Sequence, residues 1–521
     1  MLNLSVSESP QSEAFAAEGI RAQVRARIRC DALLDRIVSP EQAASLIHDG
    51  MTLGLSGFTR AGDAKAVPLA IAERAKTDPM RLTVITGASL GHNTDKLLYE
   101  AGVLARRMPF QVDDTLRAAI NRGEVMFIDQ HLSETVEALR SKQISPIDVA
   151  IVEAIAITED GGIVPSTSVG NSASFAILAP KVIVELNLSY STAMEGMHDI
   201  FIPAKRPSRT PVPVVTCDSR VGTPYIPIDP SKIAAIVITH EADSPARAAT
   251  PDEGTTAIGA HLVDFLQNEV KQGRLPPSLN PIQAGIGVIA NAVLGELNRS
   301  DFHNLRMYSE VLQDSTFELI DSGKLVYASG CSVTLSAPWA DRVFNHIENY
   351  RDKVILRPQE ISNHPEVIRR LGIIAINTAL EFDIYGNVNS THVGGTHMMN
   401  GIGGSGDFAR NAYLSIFVAR SVAKKGAISA VVPMASHVDH TEHDVDILVT
   451  ENGLADLRGL APRERARKVI AHCADAGYRD LLSDYYERAC RERGGQTPHL
   501  LSEALSWHER YNLTGHMKPQ T

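Results

Sequence analysis

Two segments of this chain, 224 positions apart, repeat one another. GIVPSTSVG at 162–170 and GNVNSTHVG at 386–394 agree at six of nine positions. The residues before them, 152–162 and 376–386, align without a gap, and 232–241 resembles 444–451. This repeat indicates two similar structural units. Two domains also suit 521 residues, which exceed what one hydrophobic core usually organises.

The local pattern predicts how each unit is built. The apolar runs 51–55 and 82–86 each end in a loop of small residues that precedes a helix. Strand, small-residue loop and helix in alternation are typical of a parallel sheet covered by helices. We therefore predict an α/β protein with two similar open α/β domains and mostly parallel sheets. The expected units are an N-terminal arm at 1–30, a first domain at 31–245 and a second at 246–521, with the boundary in the charged, Ala/Pro-rich segment 241–254.

Charge and cysteine usage restrict the class of partner. The formal net charge of −11 argues against nucleic acid and anionic membranes as partners. The five cysteines are scattered and lack C-x-x-C spacing, so neither a disulfide framework nor a zinc site is indicated. The sequence has no apolar run of membrane-span length and no signal-peptide pattern, and acids among the first 20 residues disfavour a transit peptide. We expect a cytoplasmic location.

The stretch 283–314 is open to two functional interpretations. It predicts a turn at Gly285 and Gly287, a helix at 289–298, and a strand at 305–308 that presents Glu310 at its carboxyl end. Gly285, Gly287 and Ala290 fit a dinucleotide fingerprint, with Glu310 as the ribose clamp of a nicotinamide-dependent oxidoreductase. Alternatively, Glu310 is a nucleophile and the glycines let the backbone approach a coenzyme A thioester. Prolines just before the turn disfavour a preceding strand and weigh against the first interpretation.

A glycine-rich loop at 394–408 is the second candidate element of a site. It leaves backbone N–H groups free for an anionic or carbonyl oxygen, and a helix is expected at 409–418. The histidines and acids at 437–446 favour a solvated loop over a metal site, so we predict no metal. Cys331 favours a buried thiol over a nucleophile, because nothing in the sequence places a base beside it.

Four motifs together resemble one known family. They are SEVLQD at 309–314, GNVNST at 386–391, NGIGGSGDFAR at 400–410 and EDGGIVP at 159–165. These motifs resemble the acetyl-CoA hydrolase/transferase branch of the class I CoA-transferases, and within it the succinyl-CoA:acetate enzymes, from about residue 30 to the C-terminus. The resemblance implies two CoA-transferase-type domains that move CoA from succinyl-CoA to acetate in a ping-pong reaction. Acetyl-CoA hydrolysis, propionyl-CoA:succinate transfer and a non-catalytic CoA-binding regulator are the alternatives.

The resemblance also assigns roles to residues. Glu310 is expected to form an acyl-glutamyl anhydride and then a glutamyl-CoA thioester, with Asn363 and the backbone N–H of Gly404 as oxyanion donors. CoA is expected to contact Asn400, Gly404 and Lys424, with Lys425 as the alternative lysine, and the Gly285–Gly287 turn. Coenzyme A is then a thioester substrate, and no tightly bound cofactor is expected.

The residues themselves suggest how Glu310 would act. An ordinary glutamate pKa near 4.3 leaves the group ionised at neutral pH without a partner base.

The remaining expected partners are short carboxylates and a second copy of the chain, since a homodimer is the commonest oligomer.

Overall fold

The computed structural model describes residues 10–247 and 250–519 and contains two large sheets. The strands of the first sheet are β1 Thr52–Leu55, β2 Leu82–Ile85, β3 Leu104–Met108, β4 Met126–Phe127, β5 Val149–Ile157, β6 Ile163–Pro165, β7 Lys181–Asn187 and β8 Ile233–Thr239. Those of the second are β9 Ile282–Ala284, β10 Leu305–Tyr308, β12 Leu325–Gly330, β14 Val354–Leu356, β15 Ile374–Thr378, β20 Leu414–Val418, β24 Ile447–Thr450 and β25 Gly453–Asp456.

Short strands form four small sheets in the second half of the chain. They are β11 Val311–Leu312, β13 Ser332–Val333, β16 Glu381–Asp383, β17 Val388–Asn389, β18 His392–Val393, β19 His397–Met398, β21 Val422–Ala423, β22 Ile428–Ser429 and β23 Val431–Val432.

Helices surround both large sheets. They are α1 Pro10–Arg27, α2 Pro40–Ala44, α3 Ala66–Ala75, α4 Thr94–Glu100, α5 Asp114–Asn121, α6 Thr135–Arg140, α7 Ser172–Leu178, α8 Glu253–Lys271, α9 Val288–Arg299, α10 Asp314–Asp321, α11 Ala337–Phe344, α12 Gln359–Ser362, α13 Pro365–Leu371, α14 Ser405–Asn411, α15 Pro462–Cys473, α16 Ala476–Glu492 and α17 Ser506–Thr514. Short 3-10 turns lie at Asp31–Arg36, Thr192–Met194, Pro230–Lys232, Ile347–Asn349, Lys424–Gly426 and Glu442–Asp444.

The two large sheets have the same strand order. The first runs β4-β3-β2-β1-β5-β7-β8, and the second runs β14-β12-β10-β9-β15-β20-β24 before the antiparallel β25. Pairing along both paths is otherwise parallel. The repeated segments occupy matching places, since 162–170 follows β5 and 386–394 follows the corresponding β15. The prediction of two similar, mostly parallel α/β units is confirmed.

Two local predictions were wrong. The expected helix at 409–418 ends at Asn411, and Leu414–Val418 is an interior strand buried at every position. A short, continuously apolar run gives no periodicity that separates a buried strand from a helix. The prolines do not exclude a strand before Gly285 either, because Pro281 lies just outside β9, which is paired on both sides.

The ends of the first unit are held by polar contacts. Within the predicted arm, residues 1–9 lie outside the described part, and Arg27 in α1 donates to the backbone carbonyls of Asn187 (3.0 Å) and Tyr190 (2.7 Å). In the predicted boundary segment, where 248–249 lie outside the description, Asp243 accepts from the buried Lys65 at 3.0 Å. Three residues later, the Ala246 N–H donates to the Leu335 carbonyl of the second unit at 2.8 Å.

The main hydrophobic core includes residues of both sheets. Ile155 and Val184 of the first sheet and Ile376 of the second belong to one buried cluster. Burying a side chain of this size stabilises the fold by about 1.5–3 kcal/mol. The shared core joins the two units and fixes the cleft between them.

Candidate active site

A cavity of about 180 Å³ lies between the two units. It is at the carboxyl ends of the strands of the second sheet, where open α/β sheets usually bind ligands. The first unit contributes mainly apolar side chains: Phe58, Thr59, Ala88, Phe110, Val112 and Leu132. The second contributes Ala284, Gly285, Ile286, Glu310, Val311, Asn377, Thr378, Ser390 and residues 400–405. No lysine or arginine is among these lining residues.

Glu310 lies between strands β10 and β11, one residue beyond Ser309, and lines this cavity. Its backbone carbonyl accepts from the N–H groups of Cys331 (2.6 Å) and Ser332 (3.2 Å), which fixes the main chain. Its Oε1 accepts from Nδ2 of the buried Asn363 at 2.7 Å. The predicted catalytic pair therefore lies in direct contact, although 53 residues separate the two side chains in sequence.

The environment of Glu310 changes its acidity. Burial raises its pKa to about 7, the Asn363 hydrogen bond opposes this rise, and the negative charge of Asp407 adds to it. The expectation of an ordinary pKa was wrong, because burial depends on residues distant in sequence. Burial therefore makes this carboxylate easier to protonate than that of an exposed glutamate.

Gly404 lies against the Glu310 carboxylate. A Cβ atom at position 404 would be only 1.9 Å from Glu310 Oε1 and 2.2 Å from its Cδ. The backbone φ of Gly404 is −89°, a value that other residues adopt readily. Glycine is therefore required here by close approach rather than by backbone conformation. The structure brings the predicted Glu310, Asn363 and Gly404 together.

Neither Asp407 nor Ser133 was predicted to have a role in the site. Asp407 Oδ2 accepts from Asn363 Nδ2 at 3.2 Å, and Ser133 donates to Asp407 through its hydroxyl (2.6 Å) and its backbone N–H (3.0 Å). Burial raises the pKa of Asp407 to about 6. Asp407 was visible within the glycine-rich motif, whereas Ser133 carries no motif of its own.

The first unit also holds the glycine-rich loop of the second. The Ile402 N–H donates to both carboxylate oxygens of Asp129, at 2.9 and 3.0 Å. A Cβ at Gly401 would lie 3.0 Å from the Phe110 ring. One of the N–H groups expected to be free for a ligand is thus used to attach the loop.

The predicted Gly285–Gly287 turn is held by one side chain. Gln313 donates to the Gly285 carbonyl at 2.9 Å and accepts from the Gly287 N–H at 3.3 Å. Gly287 has a φ of +103°, which favours glycine. A second cavity of about 420 Å³ extends from this turn past Arg60 and Arg247. The two cavities share the lining residues Thr59, Val112, Ile286 and Val311.

The other predicted CoA contacts have different positions. Asn400 lines the first cavity, and its buried Oδ1 has no hydrogen-bond partner within the described residues. Lys424 lines neither cavity, and its Nζ donates to the Tyr511 hydroxyl at 2.7 Å. Lys425 lines neither cavity as well, and its φ is +57°. Asn400 therefore lies with Glu310, whereas the structure does not bring either lysine to it.

The cysteine and histidine candidates show no catalytic or metal-binding arrangement. Cys331 is fully buried, and burial raises the pKa of its thiol. His437 stacks on His392 with ring centroids 3.9 Å apart, while His440 is buried against Phe417. Within residues 10–247 and 250–519, no group of three or more His, Cys, Asp or Glu side chains is arranged to hold a metal ion. Across the same residues, no helix is both long and apolar enough to cross a membrane.

Two tandem, mostly parallel α/β units with a carboxylate and an amide in the cleft between them place this chain among two-domain α/β proteins. Family models place the chain within one family. The acetyl-CoA hydrolase/transferase N-terminal domain matches residues 25–238, and the C-terminal domain of the same family matches residues 340–486. This protein belongs to the acetyl-CoA hydrolase/transferase family, as the motifs indicated.

Curated relatives agree with this assignment. The chain is 48% identical to a succinyl-CoA:acetate CoA-transferase of Clostridium kluyveri, over 94% of this chain and 92% of that protein. It is 44% identical to a propanoyl-CoA:succinate CoA transferase of Escherichia coli, over 92% and 98%. It is also 44% identical to an acetyl-CoA hydrolase of Schizosaccharomyces pombe, over 94% and 98%.

A solved structure agrees on the fold. RipA from Yersinia pestis superposes with a TM-score of 0.67 at 23% identity. The superposition covers 89% of this chain and 98% of the RipA chain.

Proposed function

We propose that this protein is a CoA-transferase that moves CoA from succinyl-CoA to acetate through Glu310. The Glu310 carboxylate attacks the thioester carbonyl, which gives an acyl-glutamyl anhydride and CoA thiolate. The thiolate then attacks the glutamyl carbonyl, releases succinate and leaves a glutamyl-CoA thioester. Acetate reverses these steps and leaves as acetyl-CoA. The observation that carries the proposal is the Glu310 carboxylate, 2.7 Å from the Asn363 amide and packed against Gly404 in a cleft.

The polar groups around Glu310 suit this chemistry. Negative charge develops on the carbonyl oxygen during each attack, and hydrogen-bond donors fixed in advance stabilise it. We assign this role to Asn363 Nδ2 and the backbone N–H of Gly404. A carboxylate with a pKa of about 7 is also a stronger base, and so a better nucleophile, than an exposed glutamate.

The cavity walls suit a transferase rather than an enzyme that hydrolyses acyl-CoA with water. Phe58, Phe110 and Leu132 present apolar surface beside Glu310, which limits the water available to the anhydride and the thioester. We propose that CoA lies along Asn400 and the Gly285–Gly287 turn, and that Lys424 reaches it once released from Tyr511. CoA then enters and leaves as a substrate, without a resident cofactor.

Hydrolysis of acetyl-CoA is the second candidate, because several curated relatives carry that name. Propionyl-CoA:succinate transfer is the third, since one methylene changes binding by only about 1–3 kcal/mol. The test supplies succinyl-CoA with acetate, propionate or water as acceptor and measures each product. We expect acetate to be used fastest. Water equal to acetate at working concentrations would contradict the transferase assignment.

An oxidoreductase has less support from the site. Its ribose clamp would be Glu310, whose carboxylate is engaged by Asn363 and packed against Gly404. We also propose a cytoplasmic location and a homodimer. The first rests on cysteine usage, and the second on the frequency of symmetric dimers.

A further inference from the structure

Glu310 is held by a chain of hydrogen bonds that crosses between the two units. The Asn363 Nδ2 atom carries two protons, and two carboxylate oxygens accept from it: Glu310 Oε1 at 2.7 Å and Asp407 Oδ2 at 3.2 Å. Asp407 is itself held by the hydroxyl and the backbone N–H of Ser133. Ser133 belongs to the first unit, and the other three residues belong to the second. This series of hydrogen bonds is complete only when the two units are packed together.

An asparagine amide has two faces of opposite character. If the Asn363 amide rotated by half a turn, its carbonyl oxygen would meet the Glu310 carboxylate, and the oxyanion donor would be lost. Glu310 cannot prevent this rotation throughout the reaction, because its own carboxylate becomes an anhydride and then a thioester. An ionised Asp407 only accepts hydrogen bonds, so it continues to select the NH2 group. The Asn363 Oδ1 atom is buried and has no partner within the described residues that would select the other orientation.

We propose that Asp407, anchored by Ser133, is a positioning residue that keeps the Asn363 amide turned toward the reacting carbonyl. The proposal rests on the proposed function, since it describes how one oxyanion donor of that reaction is oriented. Asp407 touches neither substrate nor the reacting atoms, and it acts through Asn363.

The charge of Asp407 provides a readout that a purely structural role would not give. Charged or titratable side chains lie close to both Glu310 and Asp407. Asp407 and the Cys331 thiol lie beside Glu310, and His131 lies beside Asp407. The negative charge of Asp407 raises the pKa of Glu310. In the resting protein the Glu310 carboxylate itself still accepts from the Asn363 NH2 group, so removing only the Asp407 charge lowers the Glu310 pKa, and the pH at which acylation begins to fall moves down. A residue that only supports the fold would lower the rate without moving that pH.

The test is the rate at which the protein forms a CoA adduct after rapid mixing with acetyl-CoA, followed by intact-protein mass spectrometry from pH 5 to 9. For Asp407→Asn we expect a plateau rate about 10- to 100-fold below that of the native protein, because a misplaced group typically costs up to about 100-fold. We also expect the acid limb of its pH profile at lower pH. Asp383→Asn is the matched control, because Asp383 is buried in the same unit and accepts from the backbone N–H groups of Tyr385 and Gly386.

An Asp407→Asn protein with a rate within twofold of native and an unchanged acid limb would overturn the proposal. So would a slower protein whose acid limb has not moved. If this variant does not fold, Ser133→Ala decides. This variant removes the hydroxyl hydrogen bond to Asp407 and keeps that of the backbone N–H, so we expect the rate of adduct formation to fall roughly 2- to 10-fold. A rate equal to that of the native protein would refute the proposed role of Ser133 in holding Asp407. Failure of the proposed function is distinguishable, because the native protein itself would then form no CoA adduct.

Discussion

Replacing Gly404 with alanine tests the close approach at the centre of the site. The new Cβ would lie 1.9 Å from Glu310 Oε1, whereas real Cβ contacts below 3.0 Å are essentially never seen. The carboxylate or the loop must therefore move by about 1 Å or more. Alanine fits the backbone at this position, because its φ is −89°. The damage is thus expected in the chemistry rather than in the fold.

The size of the effect follows from the displacement. A misplacement of about 1 Å typically costs about 100-fold in rate, which corresponds to about 2.7 kcal/mol of transition-state stabilisation. The assay is the single-turnover formation of the CoA adduct from acetyl-CoA, with thermal unfolding measured on the same samples. We expect the rate of adduct formation to fall by about 100-fold and the midpoint of thermal unfolding to stay close to that of the native protein.

Gly295→Ala is the matched control. Gly295 lies in the interior of α9. Apart from the backbone of the helix itself, the atoms nearest its new Cβ would be those of the flexible Arg299 side chain, at 3.8 Å or more. Alanine is favoured there by about 1 kcal/mol of helix propensity, so this variant should keep full activity. A Gly404→Ala protein that acylates within threefold of native would refute the reasoning, because the carboxylate would then tolerate the displacement.

Three further predictions follow from the same geometry. Acylation should rise with pH through about 7, because the reactive form of Glu310 is the carboxylate and its pKa is raised to about 7, and a rate unchanged between pH 6 and 8 would contradict this. Glu310→Gln should abolish the CoA adduct yet unfold at a higher temperature than native at pH 8, with a difference that shrinks toward pH 5. At pH values above the pKa of Glu310 in the folded state, the native protein must keep this ionised carboxylate buried. This lowers its free energy of unfolding by an amount on the order of 1 kcal/mol once solvent in the cavity is considered. Lys424→Met should raise the KM for acetyl-CoA about 10-fold with little change in kcat, whereas Lys425→Met should not; equal effects of the two variants would contradict the assignment of Lys424.

The repeat and the strand patterns predicted the architecture well. The strand at Leu305–Tyr308 was predicted with its observed bounds, and the helix expected at 289–298 is Val288–Arg299. Short, fully apolar runs were the weak point, because Leu414–Val418 carries no period that identifies a strand. Ile282–Ala284 was missed for a different reason, because the nearby prolines disfavoured a strand that the structure contains.

The candidate site was predictable only where a motif carried it. Glu310, Gly404 and Asn400 lie within motifs, and Asn363 was identified by resemblance. The raised pKa of Glu310 and the contact of Ser133 with Asp407 depend on how two distant parts of the chain pack. No local pattern encodes these features, because burial and contact between units are properties of the assembled fold.

The central claim is that Glu310 is the nucleophile that carries CoA. The most direct measurement incubates the native protein with acetyl-CoA and no acceptor, traps the product with borohydride and maps the modified peptide by mass spectrometry. The predicted result is modification of Glu310 alone, prevented by Glu310→Gln. An unmodified protein that still binds CoA, or modification at another residue such as Cys331, would contradict it.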